Sequence, residues 1–168
     1  MNKIRIAGVV KESIVDGPGL RYVIFTQGCN HKCEGCHNPQ THDFNGGYEE
    51  SIENFLNDIN ENPLLKGVTL SGGEPFEQAV VICVLCDMLK EKNLDIVTYT
   101  GYTFEELLKG ANKKNQWFSL LERTDILIDG RFVLSKRSLA LPFRGSSNQR
   151  IIECKESLKN KKVAEMKI

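Results

Sequence analysis

YVIFTQGCNHKCEGCHN, residues 22–38, opens as a β-branched and aromatic run and closes on a cluster of thiols. Residues 22–28 have strand composition, and Cys29, Cys33 and Cys36 follow at once in the spacing Cys-x3-Cys-x2-Cys, with His31 and His37 among them. The cluster therefore sits just past the C-terminal end of a strand, and a fold is required that brings other elements to that end.

Downstream, the chain alternates strand and helix signals. Ile52, Phe55, Leu56 and Ile59 recur at helical spacing and predict a helix ending near Asn62 and Pro63. GVTLSGGEP (67–75) reads as a short strand broken by a double glycine, with an apolar helix following from about Phe76 to Glu91. DIVTYTG (95–101) is strand-like, and Thr103 with Glu106 has the spacing of a capping box. Trp117, Leu120 and Leu121 suggest one more helix before the strand DILIDG (125–130). Strands alternating with helices predict parallel βαβ units. A complete eightfold barrel takes about 250 residues, so a chain of 168 residues supplies part of one. The expected fold is α/β, an open partial (β/α) barrel of about five to six mainly parallel strands. One domain spans residues 1–168, with a core over about 10–154 and a Lys-rich tail over 155–168 that reads as a solvated helix or frayed end.

Composition narrows the function. Lys plus Arg and Asp plus Glu both number 22, and a formal charge of zero gives no basic face for nucleic acid. The opening residues lack the apolar region and small-residue cleavage site of a signal peptide, and no apolar run is long enough for a membrane span. A cytoplasmic protein without a membrane or nucleic-acid partner is expected. In that compartment clustered cysteines bind metal or catalyse rather than form disulfides.

Cys29, Cys33 and Cys36 could close a structural zinc site with His31, His37 or His42 as the fourth ligand. Zinc ribbons usually bring two separated ligand pairs, whereas these thiols lie within eight residues. A cubane iron-sulfur cluster normally takes four thiolates, so three would leave one iron open for a ligand.

Cys-x3-Cys-x2-Cys after one strand, followed by SGGEP after the next, resembles the radical S-adenosylmethionine enzymes. VDGPGLR (15–21), the Gly35–Asn38 stretch of the cluster, YTGY (99–102), DGRF (129–132) and RGSSNQ (144–149) are similar in order to the small activating proteins of anaerobic ribonucleoside-triphosphate reductase. The resemblance covers about residues 10–150. It implies a 4Fe-4S cluster held by Cys29, Cys33 and Cys36, with S-adenosyl-L-methionine at the free iron. It also implies a 5′-deoxyadenosyl radical that removes hydrogen from a glycine in the reductase large subunit, the cluster being fed by an unidentified low-potential electron donor. Activation of another glycyl-radical enzyme of the pyruvate formate-lyase type, or modification of a metabolite, is the alternative within the class. A zinc-stabilised binding module is the alternative outside it.

By the same resemblance, Gly35, Cys36 and His37 lie against the adenine end of the ligand. Gly72, Gly73 and Glu74 contact the ligand or simply form a strand-to-helix turn. Asp129, at the end of a strand, bonds to the ligand or caps a helix. Cys83 and Cys86 fall inside the apolar run VVICVLC and are expected in the core, and Cys154 is unassigned. The basic stretch 130–150 is a solvated loop or a contact for ligand or partner.

Overall fold

The computed structural model describes residues 2–168. Seven strands form one sheet: β1 (Lys3–Ser13), β2 (Arg21–Thr26), β3 (Tyr48–Ser51), β4 (Gly67–Gly72), β5 (Asp95–Tyr99), β6 (Ile126–Asp129) and β7 (Arg150–Glu153). Their order is β3-β1-β2-β4-β5-β6-β7. β2, β4, β5 and β6 are parallel neighbours in the middle. β1 runs antiparallel to both β2 and β3, and β7 runs antiparallel to β6.

The expectation of five to six mainly parallel strands is corrected here. The sheet is mixed and has seven strands, with three antiparallel pairings flanking three parallel ones. The flanking strands escape a reading by composition for physical reasons. β3 is YEES, whose two glutamates are poor strand formers. β7 is four residues long. β1 alternates buried and half-buried residues only as far as Ile6 and loses the alternation beyond it, with Ala7–Val9 half-buried and Val10–Glu12 exposed.

Five helices complete the fold: α1 (Ile52–Asn60), α2 (Ala79–Glu91), α3 (Phe104–Gly110), α4 (Trp117–Arg123) and α5 (Cys154–Asn160). Ser51 caps α1 by accepting from the Asn54 amide at 3.2 Å. Thr103 and Glu106 close the expected capping box, at 3.0 and 2.9 Å. A 3-10 turn over Pro75–Gln78 precedes α2.

The helices bury one face of the sheet. Tyr22, Ile24, Val68, Leu70, Ile96 and Leu127 from the strands share a core with Phe55, Ile82, Leu85, Leu89 and Leu120. Cys83 and Cys86 lie in that core, as expected, and Cys154 joins them. On the opposite face a smaller cluster of Val97, Ile128 and Ile151 is covered by Phe143 and Met166. The Lys-rich tail is not frayed: after α5 it doubles back, Met166 N donating to Ile151 O at 2.7 Å and Glu153 N to Ala164 O at 2.8 Å.

Arg21 locks the parallel strands beneath the site and has no exposed surface. Its guanidinium donates to Thr69 Oγ1 at 2.7 Å, Pro18 O at 2.9 Å and Val68 O at 3.0 Å. It also meets Asp95 Oδ1 at 2.5 Å, the angle being off hydrogen-bond alignment. Gly67 makes room for that pair, since a Cβ there would stand 2.2 Å from Asp95 Oδ1 and 2.6 Å from Arg21 Nη2.

Candidate functional site

The backbone beyond β2 is zipped shut at its base. Gly28 N donates to Thr41 O at 2.7 Å and Cys29 N to His42 O at 3.2 Å, so the intervening residues form a closed loop that carries all three clustered cysteines. The buried Gln27 side chain holds the returning limb through Gln40 O at 2.9 Å and Asp43 O at 2.7 Å. Within the loop, Cys36 N donates to Cys33 O at 3.2 Å, and Cys36 Sγ accepts from Asn38 N at 3.4 Å. Gly35 turns the chain there at φ +73°, with Leu134 so close that a Cβ would lie 2.8 Å from it.

A cavity of about 560 Å³ opens at this C-terminal end of the parallel strands, where ligands of open α/β sheets collect. Cys29, Cys33 and Cys36 line it, together with His37 and the Gly72–Gly73 turn. All three thiols are free and half-buried. Gly72 has φ +93°, and a Cβ on it would stand 2.5 Å from Thr26 N. The double glycine therefore lets the exit of β4 lie against the root of the cysteine loop, with Gly73 N donating to Thr26 O at 2.8 Å and Glu74 N to Gly28 O at 2.9 Å. Turn formation and cavity lining are both served by the same two residues.

The residues singled out from sequence divide into two groups. Cys29, Cys33, Cys36, His37, Gly72 and Gly73 come together on the cavity wall. Gly35 is exposed and off that wall, beside Phe132 and Leu134, and the His37 ring packs on Phe132 with centroids 5.0 Å apart. Glu74 and Asp129 are buried and off the wall. Glu74 Oε1 receives His31 Nε2 at 2.6 Å, Thr100 Oγ1 at 2.9 Å and Gly101 N at 2.8 Å, while Oε2 receives Phe76 N at 3.1 Å. Asp129 Oδ2 accepts from Phe104 N, the first residue of α3, at 2.8 Å, and also from Arg150 Nη2 at 2.6 Å. Asp129 is not itself a helix N-cap, a place held by Thr103 for α3, but it accepts the first amide of that helix from the end of β6.

Sequence reasoning named His31 only as a possible zinc ligand and gave Thr100 and Gly101 no role beyond their place in the YTGY motif, although all three line the cavity. The histidine between two cluster cysteines and the YTGY motif were the available signals. The far wall is the basic stretch. Its RGSSNQ segment is knitted to the strand end beside it: Gln149 Oε1 accepts from Gly145 N at 2.8 Å, Asn148 Nδ2 donates to Arg131 O at 2.8 Å and Gln149 Nε2 to Gly130 O at 3.0 Å.

Burial pushes the Cys29 thiol up to about 11, the Glu74 carboxylate adding to the effect and a backbone hydrogen bond at His31 opposing it. Desolvation also raises the core thiols, Cys83 to about 11 and Cys154 to about 12, and Cys86 further still. Among the described residues no three Cys, His, Asp or Glu side chains converge on a single ion-sized point. A cubane cluster takes each thiolate at a separate iron, so its donors need only to surround a common space, as three free thiols on one cavity wall do.

Comparison with known proteins agrees with that donor set. The family model for the 4Fe-4S single cluster domain matches residues 15–152, which places the protein among iron-sulfur proteins of that domain class. The anaerobic ribonucleoside-triphosphate reductase-activating protein of Vibrio cholerae is 34% identical over 144 residues, covering 81% of this chain and 89% of that one. The protein of the same name from Escherichia coli K12 is 34% identical over 81% of this chain and 90% of its own. The chain therefore belongs to the family of anaerobic ribonucleoside-triphosphate reductase-activating proteins. Among solved structures, QueE from Escherichia coli aligns over 60% of this chain and 53% of that one, with 19% identity and a TM-score of 0.44, a likeness too slight to bear on function.

Proposed function

We propose that this protein is the activase of an anaerobic ribonucleoside-triphosphate reductase, holding a 4Fe-4S cluster on Cys29, Cys33 and Cys36 and S-adenosyl-L-methionine beside it. The observation that carries the reading is the placement of those three free thiols on one cavity, next to the Gly72–Gly73 turn, in a chain of this family. Reduced by one electron with S-adenosylmethionine bound, such a cluster supplies a 5′-deoxyadenosyl radical able to take a hydrogen atom from a glycine Cα.

The chain's own residues would do the rest. The double glycine brings backbone close to the ligand without a side chain in the way. Phe25, Tyr99 and Phe132 give the cavity apolar walls that exclude water. Arg144 lines the same space and makes no ion pair among the described residues, which suits it to an anionic group of the ligand or partner. Ile14, Val15 and Leu139 stand 72%, 70% and 87% exposed on the cavity lining. This apolar rim fits the entry of a glycine-bearing segment of the reductase large subunit. The parallel strands β2, β4, β5 and β6 would then serve as the wall of an open partial barrel, in a cytoplasmic enzyme fed by a low-potential electron donor.

The test is anaerobic reconstitution with iron and sulfide, followed by addition of S-adenosylmethionine, reductant and the reductase large subunit. A glycyl signal by electron paramagnetic resonance is expected, with deuterium from the glycine Cα recovered in 5′-deoxyadenosine. Cleavage of S-adenosylmethionine with neither radical nor deuterium transfer on that subunit would refute the reading.

A further inference from the structure

We infer that His31 is a positioning residue, clasped by Glu74 so that the cysteine loop is held ready for its cluster. The inference rests on the function proposed above and adds what fixes the geometry of its ligands.

His31 lies midway between Cys29 and Cys33, yet its side chain points into the fold and is only 5% exposed. Nε2 meets Glu74 Oε1 at 2.6 Å, within a side chain that has no exposed surface. The ring edge packs on Tyr102 with centroids 4.5 Å apart and an interplanar angle of 78°. Tyr102 in turn lies against Trp117 at 4.7 Å, and Trp117 Nε1 is fixed by Phe76 O at 2.9 Å. The imidazole is therefore fixed by a hydrogen bond at Nε2 and by a T-shaped contact with Tyr102, which together set its orientation.

Glu74 is suited to the role because it is committed elsewhere at the same time. Its carboxylate also takes Thr100 Oγ1, Gly101 N and Phe76 N, so it is anchored to the end of β5 and the start of the 3-10 turn before α2. A buried carboxylate with that many donors does not swing. Through His31 it transmits its fixed position to the loop that carries the thiols. The other hydrogen bonds from the loop to the rest of the fold among the described residues, at Gly28, Cys29 and Gln27, are at its base, His37 packs on Phe132 on the returning limb, and His31 is the point at which the outgoing limb is held.

Gly101 supplies an independent handle on the same contact. A Cβ there would stand 2.4 Å from His31 Cδ2 and 2.7 Å from Nε2, and the other close neighbour named is also the His31 ring. Its backbone is not in the left-handed region, so alanine at this position displaces the imidazole and does little else.

The experiment uses the reconstituted full chain without partner. Cluster loss to an iron chelator is followed anaerobically by visible absorption. The signal of the reduced cluster, with and without S-adenosylmethionine, is recorded by electron paramagnetic resonance. His31→Ala and Gly101→Ala should each lose the cluster about tenfold faster than the parent, the size of effect typical of a residue that orients ligands. Each should also broaden the reduced-cluster signal, a readout that global stability does not move. The double variant should be no worse than His31→Ala alone, because the ring that clashes with the new methyl is gone. Additive effects, or parental rates and signals in the single variants, would overturn the inference. If either single variant fails to fold, the double variant, free of the clash, gives the decision against His31→Gln, which keeps a donor toward Glu74 and should restore retention. A parent that binds no cluster would defeat the proposed function itself, a result distinct from all of these.

Discussion

Arg150 and Asp129 face each other at the end of β6, where both guanidinium contacts, 2.6 and 3.0 Å, fall on a carboxylate that also receives the Phe104 amide. One side chain thus joins β6, the antiparallel strand β7 and the first turn of α3. Arg150 carries Glu105 as well, at 2.6 Å, and its pKa is driven up by the Asp129 and Glu105 hydrogen bonds. Asp129→Ala removes the acceptor of the Phe104 amide and leaves Arg150 half-neutralised, so a loss of about 2–4 kcal/mol is expected from breaking charged hydrogen bonds at a buried site. Thermal unfolding of the apo-protein measures it. An unchanged melting temperature with weakened S-adenosylmethionine binding would move Asp129 to the ligand instead.

Removing Arg21 should cost more. Arg21→Met leaves Asp95 with Lys66 as its remaining cation and takes a donor from Thr69 Oγ1 and from the Pro18, Val68 and Asp95 carbonyls, and removing one partner of a buried pair costs about 3–5 kcal/mol. In a domain of this size that is a drop of roughly 6–20 °C in melting temperature. Lysine at the same place keeps the charge but lacks the fork that reaches Thr69, Pro18 and Val68 together. Its melting temperature should fall between the two.

The six cysteines should separate by chemistry. Cys83, Cys86 and Cys154 are buried with thiols held protonated by desolvation, so alkylation of the native apo-protein at pH 8 should spare them. Cys33 and Cys36 should react first, with Cys29 slower because burial pushes its thiol up to about 11. Peptide mass mapping over a time course gives the order. Replacing Cys29, Cys33 or Cys36 by alanine should abolish the cluster, while Cys83→Ala and Cys86→Ala retain it.

Asp125 predicts a pH dependence. Burial opposes its ionisation, but hydrogen bonds from Lys90 and the Ile96 amide, with Lys155 nearby, bring its pKa below the usual carboxylate value. A depressed folded pKa means the contribution is present above the unfolded value, about 3.9, and is lost as pH falls through the folded value. Asp125→Asn should therefore be destabilised by about 1 kcal/mol at pH 7 and show a shallower loss of stability below pH 4 than the parent. Melting curves across that range decide it, and parallel profiles would remove Asp125 from acid lability.

The middle of the fold was legible in the sequence because each of its elements carries a local signal. β2, β4, β5 and β6 are β-branched runs ending at glycines or polar residues, and α3 announces its start with Thr103 and Glu106. The margins were not, since β3 and β7 form through pairing with a neighbour rather than through their own composition. The same division runs through the site. Cys29, Cys33, Cys36, Gly72 and Gly73 were identifiable from spacing and from the absence of a Cβ. That Glu74 turns inward to His31 depends on which side of a buried turn the carboxylate falls, and no spacing rule encodes that.

The doubled-back tail has a consequence for recognition. Sheets that accept a foreign peptide often do so by adding it as an extra strand at an open edge, and here one edge, β7, already has residues 164–166 hydrogen-bonded along it. The other edge, β3, offers only four residues and carries Glu49 and Glu50, a short and charged margin of the kind that resists strand addition. A visiting polypeptide is thereby denied the backbone ladder as a handle. On the function proposed above, such a segment would be read by its side chains at the cavity mouth rather than by main-chain pairing along a sheet edge.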